Sequence, residues 1–203
     1  MSGPLLDVMA RSSRVRDAGL RASHDPAGML AAAHRAPPAP PLRLDRFDIL
    51  AEVKRKAPSA GALVPLDGDG LERVVSQAET YARAGAAAVS VLTEPERFAG
   101  SMQHLQAVAA ALRPMGVPVM RKDFLVSPLQ VAEARLAGAG GVLLIVRMLS
   151  GDTLREMRDL ALDMGMFVLL EAFDSEDLAR ASALLGPSPR PDQLVGINTR
   201  DLR

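Results

Sequence analysis

The sequence predicts an α/β protein of the (β/α)8-barrel type, and three observations carry that prediction. From Asp48 onward, short runs rich in Val, Ile and Leu alternate with longer segments of helical period. Several of those runs are apolar at consecutive positions, as expected of parallel strands covered by helices. After the first two, strand starts recur at intervals of 24–29 residues, close to one βα unit each. An open doubly wound sheet is the alternative with the same alternation.

Six strands are predicted, at Ile49–Lys54, Ala88–Thr93, Val117–Phe124, Gly141–Val146, Phe167–Ala172 and Leu194–Asn198. Between them fall helices at Leu71–Ala84, Ser101–Leu112, Pro128–Ala137, Asp152–Asp163 and Ser175–Leu185. Ser101, Ser127, Asp152 and Asp174 or Ser175 carry side-chain oxygens able to cap helix starts, and Gly85 and Gly138 stand where helices should stop. Residues 1–46 differ from the rest, with Arg-rich helical stretches leading into the turn at 37–41, where four prolines end any helix. They are read as an N-terminal helical extension, with the barrel domain at 47–203. Two βα units of a complete barrel are missing from that count. The chain is therefore expected to be a fragment, or a remnant whose barrel closes abnormally or with a partner. An open edge beyond the sixth strand suits self-association.

Composition removes whole classes of function. The chain has 203 residues, 24 basic against 24 acidic, so its formal charge is zero and the footprint of a nucleic-acid binder is absent. Cysteine is absent, which excludes disulfides, thiolate metal sites and cysteine nucleophiles and fits a reducing compartment. The apolar runs are too short for a membrane span and the N-terminus has no secretory core, so a cytoplasmic protein is expected. His24, His34 and His104 stand apart and read as surface residues, with no metal site.

Charged residues recur where strands should be apolar. Alternation puts Glu52 and Lys54 on one face of the first strand, where they either pair or open to a solvated strand end. On the third strand Met120, Lys122 and Phe124 share one face, Arg121 and Asp123 the other. Glu171 follows an apolar run on the fifth strand, and Asn198 and Arg200 close the sixth. Polar residues thus gather at strand C-termini, where barrels of this class place their chemistry. Lysines and a carboxylate suit proton transfer to a carbonyl compound, while Arg200 and the basic stretch 54–56 suit a carboxylate or phosphate.

The motifs Ile49-Leu50-Ala51-Glu52-Val53-Lys54-Arg55-Lys56-Ala57-Pro58-Ser59, Ser90-Val91-Leu92-Thr93-Glu94, Arg121-Lys122-Asp123-Phe124, Val142-Leu143-Leu144-Ile145-Val146 and Gly196-Ile197-Asn198-Thr199-Arg200-Asp201-Leu202 together resemble the indole-3-glycerol-phosphate synthases of tryptophan biosynthesis. The resemblance implies a metal-free and cofactor-free ring closure of 1-(2-carboxyphenylamino)-1-deoxyribulose 5-phosphate, with loss of carbon dioxide and water. It implies Lys122 as the general acid, Glu171 as the acid or base of the dehydration, and Lys54 as a second catalytic lysine held by Glu52. Asn198, Arg200 and Ser59 match substrate-orienting positions; Phe98, Phe124 and Leu143 match an apolar wall around the anthranilate ring. The implied partner is this phosphosugar-anthranilate molecule alone, with no nucleic acid and no membrane.

Two departures stand out. Ala57 replaces the serine usual before the proline of the strand-one loop, removing a hydroxyl that would reach substrate. The family's phosphate grip lies largely after strands seven and eight, so a chain complete at six strands is expected to show little or no synthase activity. A truncated paralogue that binds a partner or ligand, and another phosphosugar barrel enzyme such as a Schiff-base aldolase, are the competing readings.

Overall fold

The computed structural model describes residues 4–45, 47–57, 61–62, 70–188 and 190–199. They divide into two compact units. One comprises residues 37–123 with 134–141; the chain's three lysines, Lys54, Lys56 and Lys122, all lie in it, and it is called here the lysine unit. The companion unit comprises residues 1–36, 124–133 and 142–203.

In the lysine unit, β1 (Leu50–Val53) leads through the short antiparallel pair β2 (Lys56–Ala57) and β3 (Gly61–Ala62) to a helix, numbered below. β4 (Ala88–Leu92) pairs in parallel with β1 on one side and with β5 (Val119–Lys122) on the other. The register sets Glu52 opposite Ser90, and Leu92 opposite Lys122. Every residue of β4 is buried, which explains its unbroken apolar reading. In the companion unit, β6 (Gly141–Ile145, all but its first residue), β7 (Phe167–Ala172) and β8 (Gln193–Ile197) each neighbour the next; β6 is buried throughout, β7 at four of its six residues, and no residue of β8 is fully buried. Sheet order repeats chain order in both units. That is the singly wound series of a barrel; the doubly wound alternative reverses at a switch point.

The helices carry the names α1 (Pro4–Ser23), α2 (Pro26–Arg35), α3 (Leu71–Arg83), α4 (Pro95–Phe98), α5 (Met102–Leu112), α6 (Pro128–Leu136), α7 (Gly151–Asp163) and α8 (Ser175–Leu185). The expected ends hold to within about a residue, for the expected reasons. Ser101 accepts from the His104 amide at the start of α5, and Asp174 from the Asp177 amide at the start of α8. Gly85 and Gly138 follow α3 and α6 at positive φ. At α7 the cap is Ser150, which accepts from the Thr153 amide, and Asp152 sits exposed in the first turn, bridged to Arg155.

Two expectations about exposure need correction. His104 is 3% exposed, while His24 and His34 are exposed. Its spacing of four residues to Val108 and again to Leu112 puts it on the inward stripe of α5. Arg55, in the basic stretch read as suited to a carboxylate or phosphate, is also buried. Its guanidinium lies against Gly70 at the start of α3, where a Cβ would come within 2.6 Å of Arg55 Cζ. No helix among the described residues is long and apolar enough to cross a membrane.

Candidate active site

Glu52 is the centre of a charged cluster in the lysine unit. Strand alternation brings it to the same side as Lys54, one residue beyond the end of β1, and Glu52 Oε1 accepts from Lys54 Nζ. Its other oxygen, Oε2, stands 3.9 Å from the Nζ of Lys122, the last residue of β5. All three side chains are partly exposed, so the cluster is open to a ligand. One carboxylate thus holds two ammonium groups from two strands. Lys54 and Arg55 also line a cleft of about 530 Å³ against Glu72, Arg73 and Gln77 of α3.

The other face of β5 carries the residues that flank Lys122, and both are buried. Arg121 Nη2 donates to Asp123 Oδ2 at 3.3 Å, and Arg121 Nε donates to Thr93 Oγ1 at 3.1 Å. The Thr93 hydroxyl donates in turn to Asp123 Oδ2 at 2.6 Å. The next residue, Glu94, is fully buried and accepts from the amides of Glu96, Arg97 and Phe98. Its carboxylate therefore builds the single turn of α4 that ends on Phe98, which is half-buried. Gly100 closes this loop: its amide donates to Glu94 O, and a Cβ there would fall 2.3 Å from Leu92 O.

In the companion unit, Glu171 sits one residue before the end of β7 and accepts from Asn198 Nδ2 at 3.3 Å. Asn198 follows β8, its own amide donating to Ala172 O at 2.8 Å, so main-chain pairing sets the side-chain contact. Beyond Glu171, Asp177 accepts from the Phe173 amide and from Arg147 Nε, both through Oδ2. Arg147 also reaches Asp174 and lies over the Phe173 ring, 4.7 Å from its centroid. Two backbone amides, that of Asp177 first, and the Arg147 charge together hold the Asp174 carboxyl below its ordinary pKa against opposing desolvation. Leu143 on β6 and Phe124 after α6's preceding strand are buried in this unit.

The structure therefore brings together Glu52, Lys54 and Lys122 in one unit, and Glu171 and Asn198 in the other. Ser59 and Arg200 lie outside the described residues. Sequence reasoning missed Thr93, Glu94, the Arg121–Asp123 pair and the Arg147–Asp177 pair. A signal for one of them was present: two opposite charges two residues apart, on the face of β5 turned away from Lys122, pair or do not stay buried.

A family model described as indole-3-glycerol phosphate synthase matches residues 41–203. The chain belongs to the indole-3-glycerol phosphate synthase family. The synthase of a Nocardioides species is 41% identical across all of this chain, and that of Leifsonia xyli is 44% identical over 84% of it. The Parafrankia synthase is 44% identical over 80%. The chain spans 71%, 62% and 55% of the lengths of these three relatives. A multifunctional tryptophan biosynthesis protein of Phycomyces blakesleeanus is similar as well, at 41% identity over 81% of the chain. Synthase family membership agrees with the barrel-type strand series, and the motifs quoted above all fall within the matched residues 41–203.

Proposed function

We propose that this chain carries the acid–base groups for the decarboxylating closure of 1-(2-carboxyphenylamino)-1-deoxyribulose 5-phosphate to indole-3-glycerol phosphate. The observation that carries the reading is the Glu52 carboxylate between Lys54 and Lys122 at the strand ends. Lys122 is the general acid: it gives a proton to the ketone oxygen as the ring carbon bearing the carboxylate attacks the carbonyl carbon. The carbon–carbon bond forms, the carboxylate leaves as carbon dioxide, and its bonding electrons restore the aromatic ring. The aryl nitrogen supplies electron density, so the step needs no external electron sink. Lys54 holds a substrate anion, with Glu52 fixing both ammonium groups.

Glu171, held by Asn198, then serves the loss of water that leaves the indole double bond. Arg200 and Ser59 are assigned to substrate anions, and Phe98, Phe124 and Leu143 to the aromatic ring. The missing hydroxyl at Ala57 weakens substrate binding rather than the chemistry. Residues 1–46 are assigned to a helical extension and 47–203 to the barrel part. A charged, phosphorylated substrate and a cysteine-free composition support a cytoplasmic setting.

Product fluorescence tests the assignment in the protein encoded by the whole gene. Lys122→Ala should lower turnover by about 10²–10⁴-fold, the usual range for a general acid, with folding kept. Undiminished turnover removes Lys122 from the chemistry.

A further inference from the structure

We infer that Thr93 is a positioning residue for Lys122, gripping the three consecutive residues Arg121, Lys122 and Asp123 at the end of β5. The Thr93 amide donates to Lys122 O at 3.1 Å. Its hydroxyl accepts from Arg121 Nε and donates to Asp123 Oδ2. One residue of the neighbouring strand end thus holds the side chain before Lys122, the Lys122 carbonyl, and the side chain after it.

A purely structural role does not account for the arrangement. A buried ion pair is a weak source of stability, since apolar residues of similar volume commonly serve as well or better. Here two charged side chains, 2% and 0% exposed, are kept on one face of β5, and a threonine hydroxyl, 3% exposed as a residue, is set between them. What an apolar pair lacks is direction. Hydrogen bonds to both flanking side chains and to the main chain between them fix the rotation of the strand at Lys122. Alternation then turns the Lys122 side chain to the opposite face, where its ammonium lies 3.9 Å from Glu52. The lysine is held from both ends, by Thr93 through the backbone and by Glu52 at the nitrogen. The functional consequence rests on Lys122 being the general acid; the positioning itself does not.

Lysine usage makes the positioning measurable without turnover. The chain has three lysines against 21 arginines, so acetylation by trace acetic anhydride, followed by mass spectrometry, reads Lys54, Lys56 and Lys122 separately. Lys56 serves as the internal reference. In Thr93→Val the backbone grip remains and the hydroxyl is lost. The Lys122:Lys56 rate ratio should rise about fivefold, the equivalent of one hydrogen bond of ~1 kcal/mol. Thr93→Ser should return it to the wild-type value. An unchanged ratio in a folded Thr93→Val protein, with only its melting temperature lowered, overturns the inference. If Thr93→Val does not fold, Thr93→Ala carries the same test, because it removes the hydroxyl while leaving room for water between Arg121 and Asp123. A raised ratio supports the grip and a wild-type ratio overturns it. Failure of the proposed activity assignment would appear instead as undiminished turnover in Lys122→Ala, an outcome independent of the Lys122:Lys56 ratio measured in Thr93→Val.

Discussion

Lys122 and Glu171 each stand at the C-terminal end of a parallel strand, one in each unit, and differ in what holds them. Behind Lys122 lies a dry cluster: the Arg121 and Asp123 side chains are 2% and 0% exposed, with Thr93 between them. Beyond Glu171 lies a wetter one, in which Asp177 is 4% exposed but its partner Arg147 is 19% and Asp174 54% exposed. Glu171 itself accepts from the Asn198 side-chain amide. The lysine is thus held from behind, by a dry cluster that joins its two strand neighbours to Thr93 of the adjacent strand end, whereas the carboxylate is met directly by Asn198 of the adjacent strand end. A buried charge cannot fall back on water when its partner is lost, and a half-exposed one can. The two clusters should therefore answer mutation and pH differently, although each joins an arginine to aspartate near a reactive group.

The largest expected effect is in the lysine unit. Asp123→Ala leaves the Arg121 guanidinium buried without its carboxylate and should destabilise the protein by about 3–5 kcal/mol, measured by urea unfolding at neutral pH. Asp177→Ala should cost about 1.5–3 kcal/mol in the same measurement, since Arg147 keeps Asp174 as a partner. Equal losses would erase the distinction between the dry and the wet cluster. The smallest effect is a pH dependence. The Asp174 carboxyl is held below its ordinary value by the Asp177 amide first and by Arg147 next. Its contribution is present above the unfolded value of about 4 and is lost as pH falls through the lower folded value. Asp174→Asn should remove that part of the acid-side fall in melting temperature, and an unaltered fall would deny the carboxylate this role.

Much of this was readable in the residues. Helix ends followed from period and capping chemistry, and Glu52 and Lys54 were placed on one face by alternation alone, while the third strand, expected at Val117–Phe124, pairs only over Val119–Lys122. The hub at Thr93 was not readable, because it depends on parallel register: Leu92 lies opposite Lys122, so the next residue reaches the flanking pair. His104 was misread for a related reason. As an isolated polar residue it belongs on the surface, while as the first member of the inward stripe of α5 it is buried. Glu94 was missed as a cap because the helix it starts, α4, is one turn long, although Pro95 at its first position marks a helix start. The Ser150 cap was displaced two residues from the expected Asp152 because serine and aspartate are both good caps and spacing does not choose between them.

The division of chemistry between Lys122 and Glu171 is tested most directly by single-turnover release of carbon dioxide set against indole formation, in the protein encoded by the whole gene. Glu171→Gln should release carbon dioxide in the first turnover while indole formation lags behind it. Lys122→Ala should slow both together. If Glu171→Gln slows carbon dioxide release as much as indole formation, the two residues do not serve separate steps, and the assignment of dehydration to Glu171 is wrong.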